Sequence, residues 1–384
     1  MSTVRPTWAE IDLDAFARNV DAIASRLPER SRLIAVLKAN AYGHGAVELA
    51  HRLSRDRVAM IAVSLLEEAL ELGRAGITLP LLVLGPLNAD QIALACEHDI
   101  TIAITGPEVL DAIRRVDRDV VAHLKLDTGM GRMGVVETEL AGVIDAIRAT
   151  PRLRIDAIYT HLANASDPDD PFTDEQLARF RTYVETLREA GFTAPLHHVA
   201  NSAATVRGLV EAGDYVRVGI ALYGGAPLDG PPERPPDVGR PYVGQALSLS
   251  FEPVMRWRTA IARLKDLPPG HAIGYGTTFH TRRASRIATL PIGYADGYNR
   301  LLSNRGEVLV RGQRAPVVGR VSMDLVTIDV TDIANAAIGD EVVLLGDGIS
   351  AEEIASKVGT ISYEVFCNVS ARVPRVYLTH NRAS

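Results

Sequence analysis

Short apolar runs alternate with longer amphipathic stretches along the first part of this 384-residue chain. The runs with the length of buried strands are residues 33–37, 60–63, 81–84, 100–104, 120–126, 155–160, 197–200 and 215–220. Helix-like stretches lie between them, for example 46–53, 66–74, 89–97 and 107–116. This alternation predicts βαβ units and a parallel sheet. The number of runs fits a (β/α)8 barrel of the TIM type, an α/β fold. An open doubly wound sheet is the structural alternative, although no Gly-x-Gly-x-x-Gly turn follows the first run.

The character of the sequence changes after residue 223. Residues 227–241 are rich in proline and glycine, which predicts a linker or an extended surface segment. Beyond it lie strand-like stretches separated by turn residues and one helix-like stretch at 351–358; the strand-like stretches are 246–251, 255–264, 287–291, 306–310, 316–321, 326–330 and 341–345. We therefore predict a barrel domain at residues 1–235 and a C-terminal, mainly β domain at 236–384.

Composition narrows the class of protein. With 47% hydrophobic residues and a net charge of −6, the chain resembles an ordinary globular protein with a large core, and nothing points to nucleic acid or an anionic membrane as a partner. Cys96 and Cys367 are far apart, so neither a disulfide framework nor a metal site is expected. No apolar run approaches the length of about 18 residues that a membrane span needs, and a cytoplasmic location is the expectation.

A single lysine, Lys38, stands where the first buried run ends and a glycine-rich turn begins. An ammonium group is costly at a buried strand end, because its removal from water must be offset by a partner or by loss of the charge. A lysine in such a place is often kept neutral for chemistry, and neutral amines form Schiff bases with carbonyl cofactors. The alternative is a lysine whose head group reaches solvent. Lys38 alone does not decide between the two.

Polar residues or glycine follow several of the predicted strands. They are Lys38, Tyr42, Asp127, Arg132, His161, Asn201, Ser202 and Gly219. In a barrel these positions gather at one mouth, which is the face where barrel enzymes keep their sites. His161 alone could equally be a core histidine with satisfied hydrogen bonds. The collective pattern nevertheless predicts an active site.

An ordered set of motifs resembles the pyridoxal-phosphate-dependent alanine racemases. The most specific is Leu-Lys-Ala-Asn-Ala-Tyr-Gly-His-Gly at 37–45. The others are Trp-Ala-Glu-Ile-Asp-Leu at 8–13, Lys-Leu-Asp-Thr-Gly-Met-Gly-Arg-Met-Gly at 125–134, His161, 201–204, Val-Arg-Val-Gly-Ile-Ala-Leu-Tyr-Gly at 216–224, 274–278, 321–324 and 361–365. The resemblance covers nearly the whole chain. It implies a barrel domain, a C-terminal β domain and a homodimer with shared active sites.

The resemblance also implies roles for individual residues. Lys38 would hold pyridoxal 5'-phosphate as a Schiff base and act as one of two acid–base groups. Hydroxyls and backbone N–H groups would bind the phosphate, since glycine lets the backbone approach an anion closely. The residues assigned to the phosphate are Tyr42, Ser202, Tyr363, Gly219 and Ile220, and His161 and Asn201 are also assigned to the cofactor.

Arg217 would face the pyridine nitrogen of the cofactor. Many pyridoxal enzymes place a carboxylate there, which keeps the ring protonated and makes it a strong electron sink. An arginine stays protonated and gives the ring no proton, so the ring becomes a weaker sink and racemisation is favoured over transamination. Its position between Val216 and Val218 on a buried strand argues against an ordinary surface arginine.

Racemisation needs proton transfer on both faces of one carbon, and therefore two bases. Tyr275 matches the second base of the family, which the other subunit contributes. Arg132 would neutralise the substrate carboxylate, and the backbone at Met323 would add a contact from the partner chain. Lys125 matches a position that some members carry as an N-carbamylated lysine. Ser322 replaces the cysteine that is commoner in the family.

The resemblance thus implies an alanine racemase, an isomerase that interconverts L- and D-alanine and supplies D-alanine for peptidoglycan. A racemase of broader specificity, or one that prefers serine, is the closest alternative. A non-catalytic pyridoxal-phosphate barrel would lack the second domain and Tyr275. A decarboxylase of this architecture would carry an acid in place of Arg217, a zinc-dependent dehydratase would need histidines near Cys367, and a Schiff-base aldolase would lack the tyrosine and arginine set.

Overall fold

A computed structural model of the chain describes residues 5–211, 213–228 and 249–379. Strands and helices alternate through its first part. They are β1 (Thr7–Asp12), α1 (Leu13–Ala24), β2 (Arg32–Val36), α2 (Lys38–Tyr42), α3 (Ala46–Ala50), β3 (Val58–Val63), α4 (Leu66–Arg74), β4 (Leu81–Val83), α5 (Ala89–Glu97), β5 (Thr101–Ile104), α6 (Pro107–Ile113), β6 (Val120–Lys125), α7 (Leu140–Arg148), β7 (Leu153–Tyr159), α8 (Phe172–Glu189), β8 (Leu196–His198), α9 (Ser202–Val206) and β9 (Tyr215–Val218).

Strands β2 to β9 form the predicted barrel. They pair in parallel in the order β8-β7-β6-β5-β4-β3-β2-β9. The remaining gap lies between β8 and β9, and it is bridged just beyond β8, where the Arg217 N–H donates to the Ala200 carbonyl at 2.9 Å. The strands are apolar almost throughout because helices cover their outer face and side chains fill the interior. All carboxyl ends therefore meet at one mouth.

The second part of the structure is mainly β. Its elements are β10 (Met255–Ala260), β11 (Arg263–Leu267), β12 (Ala272–Ile273), β13 (Phe279–His280), β14 (Ser285–Leu290), β15 (Glu307–Val310), β16 (Gln313–Pro316), β17 (Val326–Asp329), β18 (Glu341–Leu345), α10 (Ala351–Val358), α11 (Ser362–Cys367) and β19 (Arg375–Leu378). The sheets are six-stranded (β16-β15-β18-β10-β1-β19), three-stranded (β11-β14-β17) and two-stranded (β12-β13).

The first strand of the chain belongs to this second sheet. β1 pairs antiparallel with β10 and parallel with β19, so both ends of the described chain lie side by side. The prediction assigned residues 7–12 to the barrel unit, 1–235, whereas their strand pairing ties them to the C-terminal unit. The predicted boundary at 235, and most of the predicted linker at 227–241, lie outside the described residues. The division of the chain into two domains at this boundary stays a prediction.

The predicted barrel strands are confirmed, with ends that differ by a few residues. Two predictions in the second part are wrong. The predicted single strand at 255–264 is two strands in different sheets. The change occurs because the Ile261 N–H donates to the Asp340 carbonyl, whereas the N–H of the next residue donates to the Thr289 carbonyl. The strand at 316–321 is replaced by β16, because proline at its last position has no N–H and Gly319 turns the chain with φ +79°.

A third prediction, the strand at 246–251, is only partly open to comparison. Its first residues lie outside the described ranges, and residues 249–251 are not in a strand.

Candidate active site

Lys38 lies two residues after the end of β2, at the carboxyl mouth of the barrel. Its side chain is half-buried. Burial lowers the pKa of the Lys38 amine, and the nearby positive charges of Arg132 and Arg217 lower it further. A lowered pKa raises the fraction of neutral amine near neutral pH, which is the form that reacts with carbonyls and accepts protons.

The turn that carries Lys38 has an unusual backbone. Residues 39–42 all lie in the left-handed region, with φ between 52° and 53°, although none of them is glycine. Such a conformation costs about 1–2 kcal/mol per non-glycine residue, so it persists only where the surroundings determine it. Glu68 accepts the Ala39 N–H at 2.5 Å, and the Asn40 Oδ1 accepts the N–H of Ala46 at 2.7 Å. These side-chain bonds fix both ends of the turn.

The far end of this turn meets a group of hydroxyl and backbone donors. A Cβ added to Gly219 would lie 2.4 Å from the Tyr42 hydroxyl oxygen, so that hydroxyl packs directly on the glycine backbone. The Ser202 hydroxyl accepts the Gly219 N–H at 3.0 Å. The rings of Tyr42 and Tyr363 lie 5.9 Å apart, and Ile220 follows in a short 3-10 turn (Ile220–Tyr223). This arrangement has the composition of an anion-binding cradle.

Arg217 lies inside the barrel on β9 and is 4% exposed. Its Nη2 donates to the Thr160 carbonyl at 2.7 Å and lies 3.3 Å from His161 Nδ1. Its Nη1 lies 2.8 Å from His198 Nδ1 and also donates to the His198 carbonyl. Burial lowers the pKa of the guanidinium to about 10. Among the described residues, no carboxylate pairs with Arg217.

Two further histidines continue this network. Because arginine only donates, His198 Nδ1 must accept, so His198 Nε2 carries the proton and donates to His123 Nδ1 at 2.9 Å. The His198 ring stacks on Tyr159, with centroids 4.5 Å apart and planes 11° apart. Burial lowers the pKa of His123 to about 4, and burial and the Arg217 charge lower the pKa of His198 well below its usual value. Arg217 is therefore held by neutral partners.

Lys125 occupies the end of β6, in register with Tyr159 on β7. Burial, and the charges of Arg132 and Arg217, lower the pKa of its amine to about 8. The Tyr159 hydroxyl and the Thr105 hydroxyl at the end of β5 are buried, and neither has a hydrogen-bond partner among the described residues. The mouth therefore holds buried donors beside a lysine that readily loses its proton.

The remaining predicted barrel residues lie around the same mouth. Asn201 caps α9 and donates to the Leu162 carbonyl at 3.3 Å. His161 is half-buried next to Arg217, and several positive charges and burial lower its pKa well below the usual value. Arg132 is exposed in the loop after β6, close enough for its charge to act on Lys38 and Lys125.

Two predicted site residues lie apart from this group. Tyr275, in a short 3-10 turn (Tyr275–Thr277), is 72% exposed, and Met323 is 53% exposed. Both are on the C-terminal unit. Within the described parts of the chain, no hydrogen bond, ion pair or ring contact joins either of them to the Lys38 group. One chain by itself therefore assembles the barrel residues but not these two.

Sequence reasoning missed two histidines that the structure ties to the site, namely His123 and His198. Each was visible as a polar residue within or next to an apolar run. The signal that could have found them is burial: a histidine among strand residues that point into a barrel must find a hydrogen-bond partner. Which partner it finds depends on strand register, which one sequence does not show.

The geometry agrees with comparisons to known proteins. The profile described as "Alanine racemase, N-terminal domain" matches residues 11–227, and "Alanine racemase, C-terminal domain" matches 254–377. An alanine racemase from Halothermothrix orenii is 40% identical over 381 residues, which is 97% of this chain and 97% of that protein.

The chain belongs to the alanine racemase family. It is accordingly an amino-acid racemase, an isomerase. An alanine racemase from Methanococcus maripaludis is 40% identical over 97% of this chain and 99% of its own length. The crystal structure of alanine racemase from Bacillus anthracis with bound L-Ala-P has a TM-score of 0.89 and 37% identity, and covers 100% of this chain and 97% of that one.

A second solved structure bears on the cofactor. Alanine racemase from Bartonella henselae with covalently bound pyridoxal phosphate has a TM-score of 0.84 and 28% identity, and covers 97% of this chain and 99% of that one. The alanine racemase family assignment thus rests on the full length of both units. No helix in the described ranges is long and apolar enough to cross a bilayer.

Proposed function

We propose that the chain interconverts L- and D-alanine with pyridoxal 5'-phosphate. The two bases at each site are Lys38 of one chain and Tyr275 of the partner subunit. The observation that carries this proposal is the joint placement, at one barrel mouth, of a lysine with a lowered pKa, an anion cradle and a buried arginine that pairs with no carboxylate of the described residues. The cofactor in the Bartonella henselae relative supports it.

The residues present fit pyridoxal phosphate. A β-carbon at Gly219 would occupy the space that the Tyr42 hydroxyl approaches, so only glycine leaves the backbone accessible there. Tyr42, Ser202, Tyr363 and the backbone N–H groups of Gly219 and Ile220 would hold the phosphate, with Asn201 and His161 beside the ring. Lys38 would hold the aldehyde carbon and Arg217 the ring nitrogen.

When bound, pyridoxal phosphate acts as an electron sink that acidifies the Cα hydrogen of an amino acid. Arg217 limits that effect, because its pKa of about 10 keeps the guanidinium protonated and a donor at working pH. The neutral histidine behind it supplies no proton either, since its pKa is lowered. Arg217 would give the ring nitrogen a hydrogen bond but no proton, and so would favour prompt return of the proton to Cα.

Two bases on opposite faces then set the stereochemical outcome. The Lys38 Nζ accepts or delivers a proton on one face, because its lowered pKa leaves part of it neutral. The Tyr275 hydroxyl oxygen does the same on the other face. Arg132 would neutralise the substrate carboxylate, and the backbone at Met323 of the partner subunit would add a contact.

A homodimer explains why Tyr275 lies apart from the Lys38 group. The C-terminal unit exposes large apolar side chains that a solitary chain would leave in water: Tyr275 at 72%, Leu301 at 57%, Met323 at 53%, Leu325 at 48% and Tyr294 at 42%. Their concentration on the unit that carries Tyr275 supports burial against the barrel mouth of a second copy.

We also propose that Lys125 is carbamylated. A neutral amine is the form that adds carbon dioxide, and a pKa of about 8 gives Lys125 a far larger neutral fraction near pH 7 than an ordinary lysine has. The carbamate would convert a buried cation into an anion beside Arg132. Tyr159 is the strand partner of Lys125, and its hydroxyl, which lacks a partner among the described residues, would be the donor to the carbamate.

The cellular role follows from the proposed reaction. D-Alanine made in the cytoplasm would supply peptidoglycan synthesis.

The purified chain loaded with pyridoxal phosphate tests the proposal in a racemisation assay with alanine, serine and other small amino acids. We expect alanine to be racemised with the highest kcat/KM, and visible absorbance from the bound cofactor that Lys38→Ala abolishes. A chain that takes up no cofactor would refute the proposal. Serine as the best substrate would instead favour the broader-specificity alternative.

A further inference from the structure

His44 is a buried residue to which the reaction gives no role. It is 0% exposed and lies beneath the left-handed turn at 39–42. Its Nδ1 lies 3.0 Å from the carbonyl oxygen of Ala41 and 3.0 Å from that of Tyr42. Both carbonyls belong to left-handed residues. His44 thus contacts the strained part of the turn rather than the site itself.

The bonding fixes the protonation of the ring. Because both partners of Nδ1 are carbonyl oxygens, which only accept, Nδ1 must carry the proton. Nε2 has no hydrogen-bond partner among the described residues. Burial lowers the pKa of His44 to about 4, so the ring stays neutral near pH 7 and presents one donor to the turn.

Aromatic packing holds the ring in this orientation. Its centroid lies 4.7 Å from that of Tyr223 and 5.1 Å from that of Phe366. Tyr223 in turn packs on Tyr42 at 4.8 Å, and its hydroxyl donates to the Val36 carbonyl at the end of β2 at 2.7 Å. The ring of His44, and with it the Nδ1 donor, is therefore held between the side chains of Tyr223 and Phe366.

The position of Tyr42 depends on this turn. Its backbone is left-handed, and its hydroxyl lies so close to Gly219 that a single added carbon there would clash with it. A turn that relaxed toward ordinary φ values would carry the Tyr42 side chain away from Gly219, because side-chain direction follows the backbone.

We propose that His44 is a positioning residue for cofactor binding: its Nδ1–H locks the left-handed turn so that the Tyr42 hydroxyl stays at Gly219, where the cofactor phosphate binds. This inference rests on the proposed function. It assigns His44 to the phosphate end of the cofactor and not to the aldehyde end, since its two hydrogen bonds lie at residues 41 and 42 and not at Lys38.

The test compares pyridoxal phosphate with pyridoxal, which lacks the phosphate, as probes of the cofactor-free full-length chain. Binding is followed through the visible absorbance that each gains on reaction with Lys38. For His44→Gln we expect the affinity for pyridoxal phosphate to fall by about tenfold or more, because one hydrogen bond to a strained turn is lost. The affinity for pyridoxal should stay nearly unchanged. Equal loss for both probes, or no loss, would overturn the inference.

Two further variants sharpen the result. His44→Asn should bind pyridoxal phosphate more nearly like the parent chain, because an asparagine amide nitrogen can take the place of Nδ1, whereas the glutamine amide lies farther out. Leu72→Ala, a buried change on α4, should lower stability without changing the ratio of the two affinities. A shifted ratio in Leu72→Ala would mean that the ratio only reports loosening of the fold, which would also overturn the inference.

A double-mutant cycle tests the route through Tyr42. If His44 acts by placing the Tyr42 hydroxyl, Tyr42→Phe should lose the same affinity, and the double variant should be no worse than the weaker single variant. Additive losses would show that His44 acts elsewhere. If the parent chain itself took up neither probe, the proposed function would fail, which is a distinct outcome from an unaltered His44 variant.

Discussion

Three basic side chains, Lys38, Lys125 and Arg132, share the mouth of one barrel, and Arg217 lies just inside it. Burial lowers the pKa of both lysines, and the positive charges of Arg132 and Arg217 lower it further, since each positive charge makes the next harder to keep. This crowding supplies reactive neutral amines without a dedicated base. At the residue scale, the neighbouring charges therefore help to determine which side chains of the site are reactive.

Lys125 offers a direct test of this crowding. With a pKa of about 8, its neutral fraction grows as pH rises from 6 to 9, so carbamate formed from 13C-labelled bicarbonate should increase over that range. Carbon-13 NMR should show a carbonyl signal that Lys125→Gln removes. Lys357→Gln, at an ion-paired surface lysine, is the matched control and should keep it. A signal that survives in Lys125→Gln would place the carbamate on another amine.

Gly219 tests the proposed phosphate cradle. Its φ of −118° lies outside the left-handed region that favours glycine, so the main effect expected of Gly219→Ala is that of the added carbon. That carbon would displace the Tyr42 hydroxyl, and we expect the affinity for pyridoxal phosphate to fall by about tenfold or more. Gly142→Ala on α7, where nothing lies within 4 Å of the added carbon, should bind normally. Normal binding by Gly219→Ala would move the phosphate site elsewhere.

At the element scale, the barrel strands carry histidines that must stay neutral. A folded-state pKa of about 4 for His123, below the value near 6.5 expected when unfolded, means that its contribution is present above pH 6.5 and is lost as pH falls toward 4. Protonation of this histidine in the unfolded chain therefore shifts the folding equilibrium toward the unfolded state in acid.

His123→Gln should lessen this acid sensitivity. Between pH 7 and pH 5 the free energy of unfolding of the parent chain should fall further than that of the variant, by about 2 kcal/mol. Urea unfolding at both pH values measures the difference. His51→Gln, at an exposed histidine, should behave like the parent chain. If the free energy of unfolding fell equally between pH 7 and pH 5 in the His123→Gln and parent chains, the buried histidine would not control acid stability.

Elements differ in how well the sequence predicted them. The barrel strands were predictable because a strand buried on both faces is a continuous apolar run, and α4, α5 and α10 match the predicted bounds. The C-terminal unit was harder, because short strands change sheets at single residues such as Ile261. The sheet that a strand joins depends on which neighbouring strand offers hydrogen bonds to it, and the apolar pattern of the sequence does not show which strand that is.

The site shows the same division. Lys38, Tyr42, Ser202, Arg217 and Gly219 were predictable, since each follows or interrupts an apolar run inside a specific motif. The left-handed turn at 39–42 was not, because alanine and tyrosine rarely adopt that conformation and one asparagine predicts at most a single left-handed residue, not four in a row. The placement of His123 against His198 required the register of β6 and β8.

At the scale of the whole molecule, the proposed dimer predicts complementation. In a mixture of Lys38→Ala and Tyr275→Phe chains, half of the dimers are mixed, and each mixed dimer has one site with both bases. After subunit exchange we expect about a quarter of the parent activity from two inactive variants. A mixture of Lys38→Ala with Arg217→Gln should show no recovery, because both residues belong to the barrel half of the site and every barrel in the mixture carries one of the two changes.

The informative contrast is with a chain that carries both Lys38→Ala and Arg217→Gln, mixed with Tyr275→Phe. It should still complement, since Tyr275 is supplied intact. By contrast, Lys38→Ala together with Tyr275→Phe in one chain, mixed with Arg217→Gln, leaves every site defective and should stay inactive. Recovery there, or none in the first mixture after confirmed exchange, would contradict sharing of sites between chains.

The central claim is that two bases act on opposite faces of one carbon, and hydrogen exchange at Cα tests it most directly. Tyr275→Phe, loaded with pyridoxal phosphate in deuterated water, is given L-alanine or D-alanine, and deuterium at Cα is measured by NMR. The account predicts rapid incorporation from one enantiomer, through Lys38, and strongly reduced incorporation from the other. Equal incorporation from both enantiomers would contradict the two-base assignment.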